Sequence, residues 1–465
     1  MFLKEEITIN EKKYLKWYNK VGYGSGDIAG NVIYAFLSSF VMIFLTDTVG
    51  LNAGIVGTLM MFSKLFDGVS DIFFGSMIGK TKSKMGKARP WMLWAYLGNA
   101  VMLAAIFMVP SGIGETAKYV YFFITYTLLN AVFYTANNIA YSSLTALITK
   151  NGGERVQMGS IRFIFAFGTS LAIQSVTVNA VKMFGGGAAG WRTVAIIYAV
   201  IGLVVNTISV FSVKELPEEE LEGTAGTEKV QEEKYSLADA AKMLLANKFY
   251  LIICCVYILT QIFTATLNMG IYYMTYILGD DSLLGVFSVA INLPLICGLV
   301  FTPVLVKKFH GMYKVNLWGY AIATASRAMV IVAGYMGNVP LMLLFSATAS
   351  IGMSPLQGDM NALIASCSEY TFRTKHRRID GTMYSCSSLG VKIGSGVGTA
   401  LAGWLLAAGG YVAKASVQPQ SCINMLYFMY LWVPMIINLL ITVLLSRLKV
   451  EQANKALEDT AYQSN

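Results

Sequence analysis

Apolar residues run in long blocks along nearly the whole chain, separated by short polar punctuation. About 20 helical residues cross the hydrocarbon of a bilayer. The blocks predict helices over 21–46, 52–79, 90–110, 117–148, 156–183, 191–213, 249–278, 282–305, 315–336, 340–366, 381–408 and 421–446. A membrane β-barrel would show alternating segments of about ten residues instead. The expected fold class is an all-α membrane protein with twelve transmembrane helices in two six-helix bundles.

The polar segments give this arrangement a sense of side. Of the 35 Lys and Arg residues, one set of loops holds only Lys118, Lys182, Arg192 and Lys414. The spans hold Lys64, Arg162, Arg327 and Lys392, and every other basic residue falls in the tails or the opposite loops. The positive-inside rule then places the tails 1–20 and 447–465 in the cytoplasm, as an even number of spans requires. The segment 214–248 divides the spans into bundles 21–213 and 249–446. It begins as a charged, flexible linker, and Ser236-Leu237-Ala238-Asp239 predicts a capped surface helix within it. Basic runs follow helix 2 (Lys80 to Lys84) and helix 8 (Lys307, Lys308). That echo between the halves suggests the major facilitator architecture.

Composition narrows the class. Charged residues make up 13% of the 465, against about 25% in soluble domains, and mean hydropathy is +0.57. The charged N-terminal segment lacks the apolar core and cleavage site of a signal peptide. Six cysteines are scattered without metal-ligand spacing, and the two histidines fall in predicted loops. No phosphate loop, metal cluster or nucleophile–base pair is visible, so neither an enzyme nor a cofactor is expected. The net charge of +9 belongs to the loops and does not indicate a nucleic-acid partner.

The polar residues inside spans carry the chemistry. Lys64, Asp67 and Asp71 fall on one face of helix 2. A charge at the centre of a membrane helix costs about 2.5–3.5 kcal/mol on insertion scales, so these groups must face protein or water. Two carboxylates four residues apart converge on one ion, and they titrate as a unit. The alternative is an ion-pair network that fixes helix packing. Asp27 and Arg162 suit pairs of hydroxyls, a carboxylate accepting two hydrogen bonds and a guanidinium donating two. They could equally pair with each other. Asn137 and Asn138 in helix 4, and Gln261, Asn268, Tyr272 and Tyr273 in helix 7, add polar groups or ordinary packing. Pro355 is expected to free carbonyls in helix 10. Asp359, one turn on, has Arg327 as its candidate partner. The basic loops 80–89 and 373–378 either form gate salt bridges with Glu369 and Asp380 or only set topology.

Gly-Ser-Gly-Asp27, Lys64-Leu-Phe-Asp67-Gly-Val-Ser70-Asp71 and the loop Gly86-Lys-Ala-Arg89-Pro90-Trp91 together form a pattern. With Arg162, Glu369-Tyr370, Arg378-Ile-Asp380-Gly381 and Lys392-Ile-Gly394, it resembles the glycoside–pentoside–hexuronide:cation symporters of the major facilitator superfamily. The resemblance implies uptake of a glycoside or related sugar, uronides included, with Na⁺ or H⁺ by alternating access. It implies a cation site of Asp67, Asp71, Ser70 and Thr135 with Lys392 close by as a coupling residue, and Lys64, on the same face of helix 2, is expected to balance charge there as a second. Carboxylates and hydroxyls suit a hard cation such as Na⁺. The expected sugar set is Asp27, Tyr34, Asn138, Arg162, Gln357, Ser387 and Ser388. Asn138 stands where the family has an aspartate, and Ser142 where it has a tryptophan, so the particular sugar is left open. Ser366 replaces the first acidic residue of the helix 10 pattern. The expected partners are a small sugar, a monovalent cation and the lipid of a bacterial cytoplasmic membrane. A uniporter or exchanger with a structural acidic pair is the alternative, and an intramembrane transferase a remote one.

Overall fold

The computed structural model describes residues 13–217, 242, 244–375, 380–413, 415 and 417–463. The helix expected at Ser236–Asp239 lies outside the described residues. Regular structure among the described residues is helical throughout. The first half comprises α1 (Trp17–Val49), α2 (Ala53–Lys80), α3 (Arg89–Ile106), α4 (Glu115–Ile148), α5 (Gly152–Met183) and α6 (Gly187–Ser212). The second comprises α7 (Lys248–Leu278), α8 (Leu283–Lys308), α9 (Met312–Tyr335), α10 (Val339–Lys375), α11 (Asp380–Ala408) and α12 (420–447). A last helix, α13, covers Val450–Gln463.

Ten stretches among the described residues are long and apolar enough to cross a membrane. The other two long helices, α2 and α3, fall short for local reasons. α2 carries Lys64, Asp67 and Asp71, while α3 opens on Arg89-Pro90 and includes Asn99. Both pack lengthwise against apolar helices, α2 on α11 and α3 on α6, so twelve long helices lie side by side among the described residues. Bulky apolar residues such as Ile164, Val200, Val300 and Trp318 remain exposed on the outer faces, where lipid covers them.

α10 outruns its predicted end at 366 by nine residues, reaching Lys375. Hydropathy marks only where lipid ends. The polar extension stays helical because Arg373 pairs with Glu369 at 2.8 Å and donates to the Asn454 carbonyl of α13 at 2.9 Å. Pro355 lies inside this helix without ending it. The carbonyl of Ile351, which proline cannot bond, accepts the Ser354 hydroxyl at 2.7 Å.

The echo between the halves goes deeper than the basic runs. Glu215, just beyond α6, accepts the N–H groups of Lys87, Ala88 and Arg89 at 2.6, 2.9 and 3.0 Å. Glu451, just beyond α12, accepts those of Met312 and Tyr313 at 3.1 and 2.9 Å. In each half a carboxylate from beyond the sixth helix therefore closes on the positive end of the third.

Helices α1–α6 pack on one another, as do α7–α12, and the halves meet along α2–α11 and α5–α8. Glycine makes the first seam. A Cβ on Gly403 would stand 2.5 Å from the Ala53 carbonyl oxygen, and one on Gly57 would stand 3.2 Å from the Gly403 Cα. Backbone meets backbone there, which side chains of any size would prevent.

Candidate functional site

The close α2–α11 seam brings Lys392 of α11 onto the acidic face of α2. Its Nζ bonds Asp71 Oδ2, lies 3.3 Å from Asp67 Oδ2 and donates to the Asp67 carbonyl at 3.1 Å. Asp67 also accepts the hydroxyl of Thr135, which follows a wide π-helical turn at Leu128–Tyr134 in α4. Asp67, Asp71, Thr135 and Lys392 thus form one cluster drawn from both halves. Ser70 points its hydroxyl hydrogen back at the Asp67 carbonyl, 3.0 Å away, and not at a carboxylate. Lys64 makes no ion pair among the described residues. Its ammonium stands 5.9 Å from the Tyr34 ring centre.

Asp27 and Arg162 meet across α1 and α5, the Arg162 Nε donating to Asp27 Oδ2 at 2.6 Å. Glycines bring the helices close: a Cβ on Gly24 would stand 2.6 Å from Ile161, and one on Gly26 equally near Tyr141. Tyr141 donates to Asp27 at 2.9 Å and sets its ring 4.2 Å from the Arg162 guanidinium. Neither charge is sealed, Arg162 being 24% and Asp27 17% exposed at the side chain. Asn138, between Tyr134 and Tyr141 on the same face of α4, is exposed and bonds none of the described residues.

One turn beyond this pair lies a cavity of about 350 Å³ between the halves. α1 supplies Asn31 and Tyr34, α5 supplies Ala166 and Ser170, and the second half supplies Asn268, Ser288, Arg327, Ser350, Gln357 and Tyr430. A smaller cavity shares Tyr34, Ser38, Thr264 and Asn268 with it and reaches Lys64, Asn130 and Gln261. Tyr34, Gln357 and the helix 7 amides therefore face the central space. The side chains of Ser387 and Ser388 lie outside the described residues. Tyr273 is buried and stacked on Tyr430, 4.5 Å between centres.

At the end away from the tails, polar ties join the halves. Asp47 of α1 accepts the hydroxyls of Tyr276, at 2.7 Å, and Tyr411. Thr46 and Tyr272 share a hydrogen bond of 2.8 Å, and Lys182 pairs with Asp281. Sequence reasoning missed this cluster, because an aspartate at the end of a span looks like any interfacial residue. One expectation is corrected: Asp359 accepts from Asn316 at 3.3 Å and not from Arg327. Arg373 pairs with Glu369 at 2.8 Å and with Glu458 of α13 at 3.3 Å, within one half, while residues 376–379 and the Asp380 side chain of the expected gate lie outside the described residues. Lys87, Ala88 and Arg89 of the other basic loop turn their N–H groups to Glu215 of their own half.

Comparison with known proteins agrees with this fold. A solved D-xylose–proton symporter superposes with a TM-score of 0.63 over 92% of this chain and 97% of its own, at 16% identity. The isoprimeverose transporter of Lactiplantibacillus pentosus is 29% identical over 93% of this chain and 88% of its own. A putative glycoside/cation symporter of Escherichia coli is 27% identical over 94% and 92%. The family model described as MFS/sugar transport protein matches residues 22–452. The chain belongs to that family, within the glycoside–pentoside–hexuronide:cation branch of the major facilitator superfamily.

Proposed function

We propose that this chain is a secondary active symporter that moves a glycoside or related sugar with Na⁺ or H⁺ by alternating access. The observation that carries the reading is Lys392. A lysine of the second half sits between two carboxylates of the first, at the seam that must move. Without an ion, its ammonium balances one of the two negative charges. A Na⁺ or proton arriving at Asp67 and Asp71 competes with that ammonium, because two close carboxylates hold one added charge far better than two. Thr135 supplies a further oxygen for a hard cation. Binding the ion therefore changes what ties α11 to α2, and this links ion occupancy to the relative position of the halves.

The sugar would bind at Asp27, Arg162 and Asn138 and in the adjoining cavity, where exposed polar groups from both halves converge. The basic side carrying both tails would face the cytoplasm of a bacterial cell. A second reading has a specific observation behind it. Lys392 bridging both carboxylates is also what a fixed structural ion pair looks like, and the protein would then be a uniporter or exchanger.

Steady-state sugar ratios in proteoliposomes separate the two. A tenfold inward Na⁺ gradient supplies about 1.4 kcal/mol per ion, enough for roughly tenfold accumulation. Wild type should concentrate sugar under a Na⁺ or H⁺ gradient. Asp67→Asn and Asp71→Asn should fall towards equal concentrations while retaining sugar exchange. If both variants accumulate sugar as wild type does, the acidic cluster is structural and the coupling reading fails.

A further inference from the structure

The charges of the first half are matched inside the protein: Asp27 by Arg162, and the α2 carboxylates by Lys392. Arg327 is different. It lies midway along α9 and is only 1% exposed. Its Nε and Nη2 have no hydrogen-bond partner, and it forms no salt bridge among the described residues. Among the described residues it meets only the face of Phe263, with the guanidinium 5.2 Å from the ring centre, and the nearby Tyr430, neither of them a counter-charge. An aromatic face offsets only part of a cation's desolvation. Arginine cannot escape by losing its proton. A buried charge without a counter-charge is strongly destabilising, and in a membrane it marks a functional position.

The side chain lines the central cavity, whose lining among the described residues includes no Asp or Glu. Gln357 lines the same cavity and keeps its amide exposed, with Ser288 and Ser350 also on the wall. Lys64 lines the smaller adjoining cavity, and Asp67, one turn along α2, answers its charge. Arg327 thus faces a space whose described lining supplies no anion for it.

We propose that the transported sugar carries an anionic group, a carboxylate or a phosphate in its place, and that Arg327 binds it. The inference rests on the sugar-transport reading and narrows it to acidic sugars. The guanidinium fork matches either oxyanion with two parallel hydrogen bonds. A neutral sugar would leave the fork unpaired, which is how a site built for one group rejects the analogue lacking it.

The test uses the full chain in proteoliposomes with matched probes: methyl glucoside against methyl glucuronide, galactose against galacturonate, and glucose against glucose 6-phosphate. Inhibition of uptake and ligand-induced thermal shift give the affinities. The charged member of at least one pair should bind about ten- to hundredfold more tightly, the worth of one charged hydrogen-bonded contact. The favoured acid tells carboxylate from phosphate. Arg327→Gln should erase the preference for the charged member, and Arg327→Lys should keep part of it. Should the Gln variant not fold, the wild-type pairs and Arg327→Lys decide. Transport of neutral sugars with acids excluded would overturn the inference and leave the transport reading standing. So would a preference that survives Arg327→Gln. Failure of every sugar, charged or neutral, would bring down the sugar-transport reading and this inference with it.

Discussion

Tyr141 holds the Asp27–Arg162 pair from two sides, its hydroxyl on the carboxylate and its ring under the guanidinium. Tyr141→Phe keeps the ring contact and removes one hydrogen bond, so sugar affinity should fall by about 1 kcal/mol, roughly fivefold. Asp27→Asn or Arg162→Gln removes a charged partner and should cost about 1.5–3 kcal/mol, ten- to hundredfold. Isothermal titration on purified protein would rank the three. A Tyr141→Phe loss as large as that of Asp27→Asn would refute the supporting role. Asp27 and Arg162 were legible in the sequence because a charge inside an apolar block has no other excuse. Tyr141 was not, being one of 26 tyrosines with nothing to set it apart. Nor could the sequence pair Asp359 with Asn316, because partners across helices depend on how each helix is rotated about its axis.

Between elements, the α2–α11 seam decides whether Lys392 can reach its carboxylates. Gly403→Ala would drive a Cβ to 2.5 Å from the Ala53 carbonyl oxygen, a backbone atom that cannot swing aside. The helices must part, at a cost of about 1–3 kcal/mol for an overpacked contact. Gly396→Ala meets only Lys64 Cβ at 3.3 Å and the Met61 carbonyl oxygen at 3.4 Å, so small shifts suffice and stability should change by about 0.5 kcal/mol or less. Thermal unfolding in detergent should therefore separate the variants, with cation-driven uptake falling only in Gly403→Ala. The reverse order would mean that the seam is not the tight point. Hydropathy made the existence and order of these helices readable, since lipid imposes their length. It could not reveal the extension of α10, held by Arg373, or the wide turn before Thr135, because neither depends on apolarity.

For the whole molecule, the ties around Asp47 hold the halves together at the end away from the tails. Asp47→Asn replaces a charged acceptor of two tyrosine hydroxyls by a neutral one. Losing about 1.5–3 kcal/mol there should shift the population towards states open at that end by ten- to hundredfold. Asn268→Cys in a background free of the native cysteines reports it, because Asn268 lines the central cavity. Its labelling by an impermeant maleimide from outside should speed up with Asp47→Asn, and an unchanged rate would reduce the cluster to local packing. The backbone contact at Gly57 and Gly403 also has a mechanical meaning. It works as a fulcrum, because nothing there can be compressed. Lys392 lies 11 residues along α11 on one side, roughly 16 Å of helix, and the helix ends at Ala408 about 8 Å on the other, with Tyr411 just beyond it. A tilt of about 10° around that point carries the Lys392 end about 3 Å one way and the Ala408 end about 1 Å the other. The ammonium among the carboxylates and the tyrosine on Asp47 are thus the two arms of one lever. Whatever loosens one of them works directly against the other.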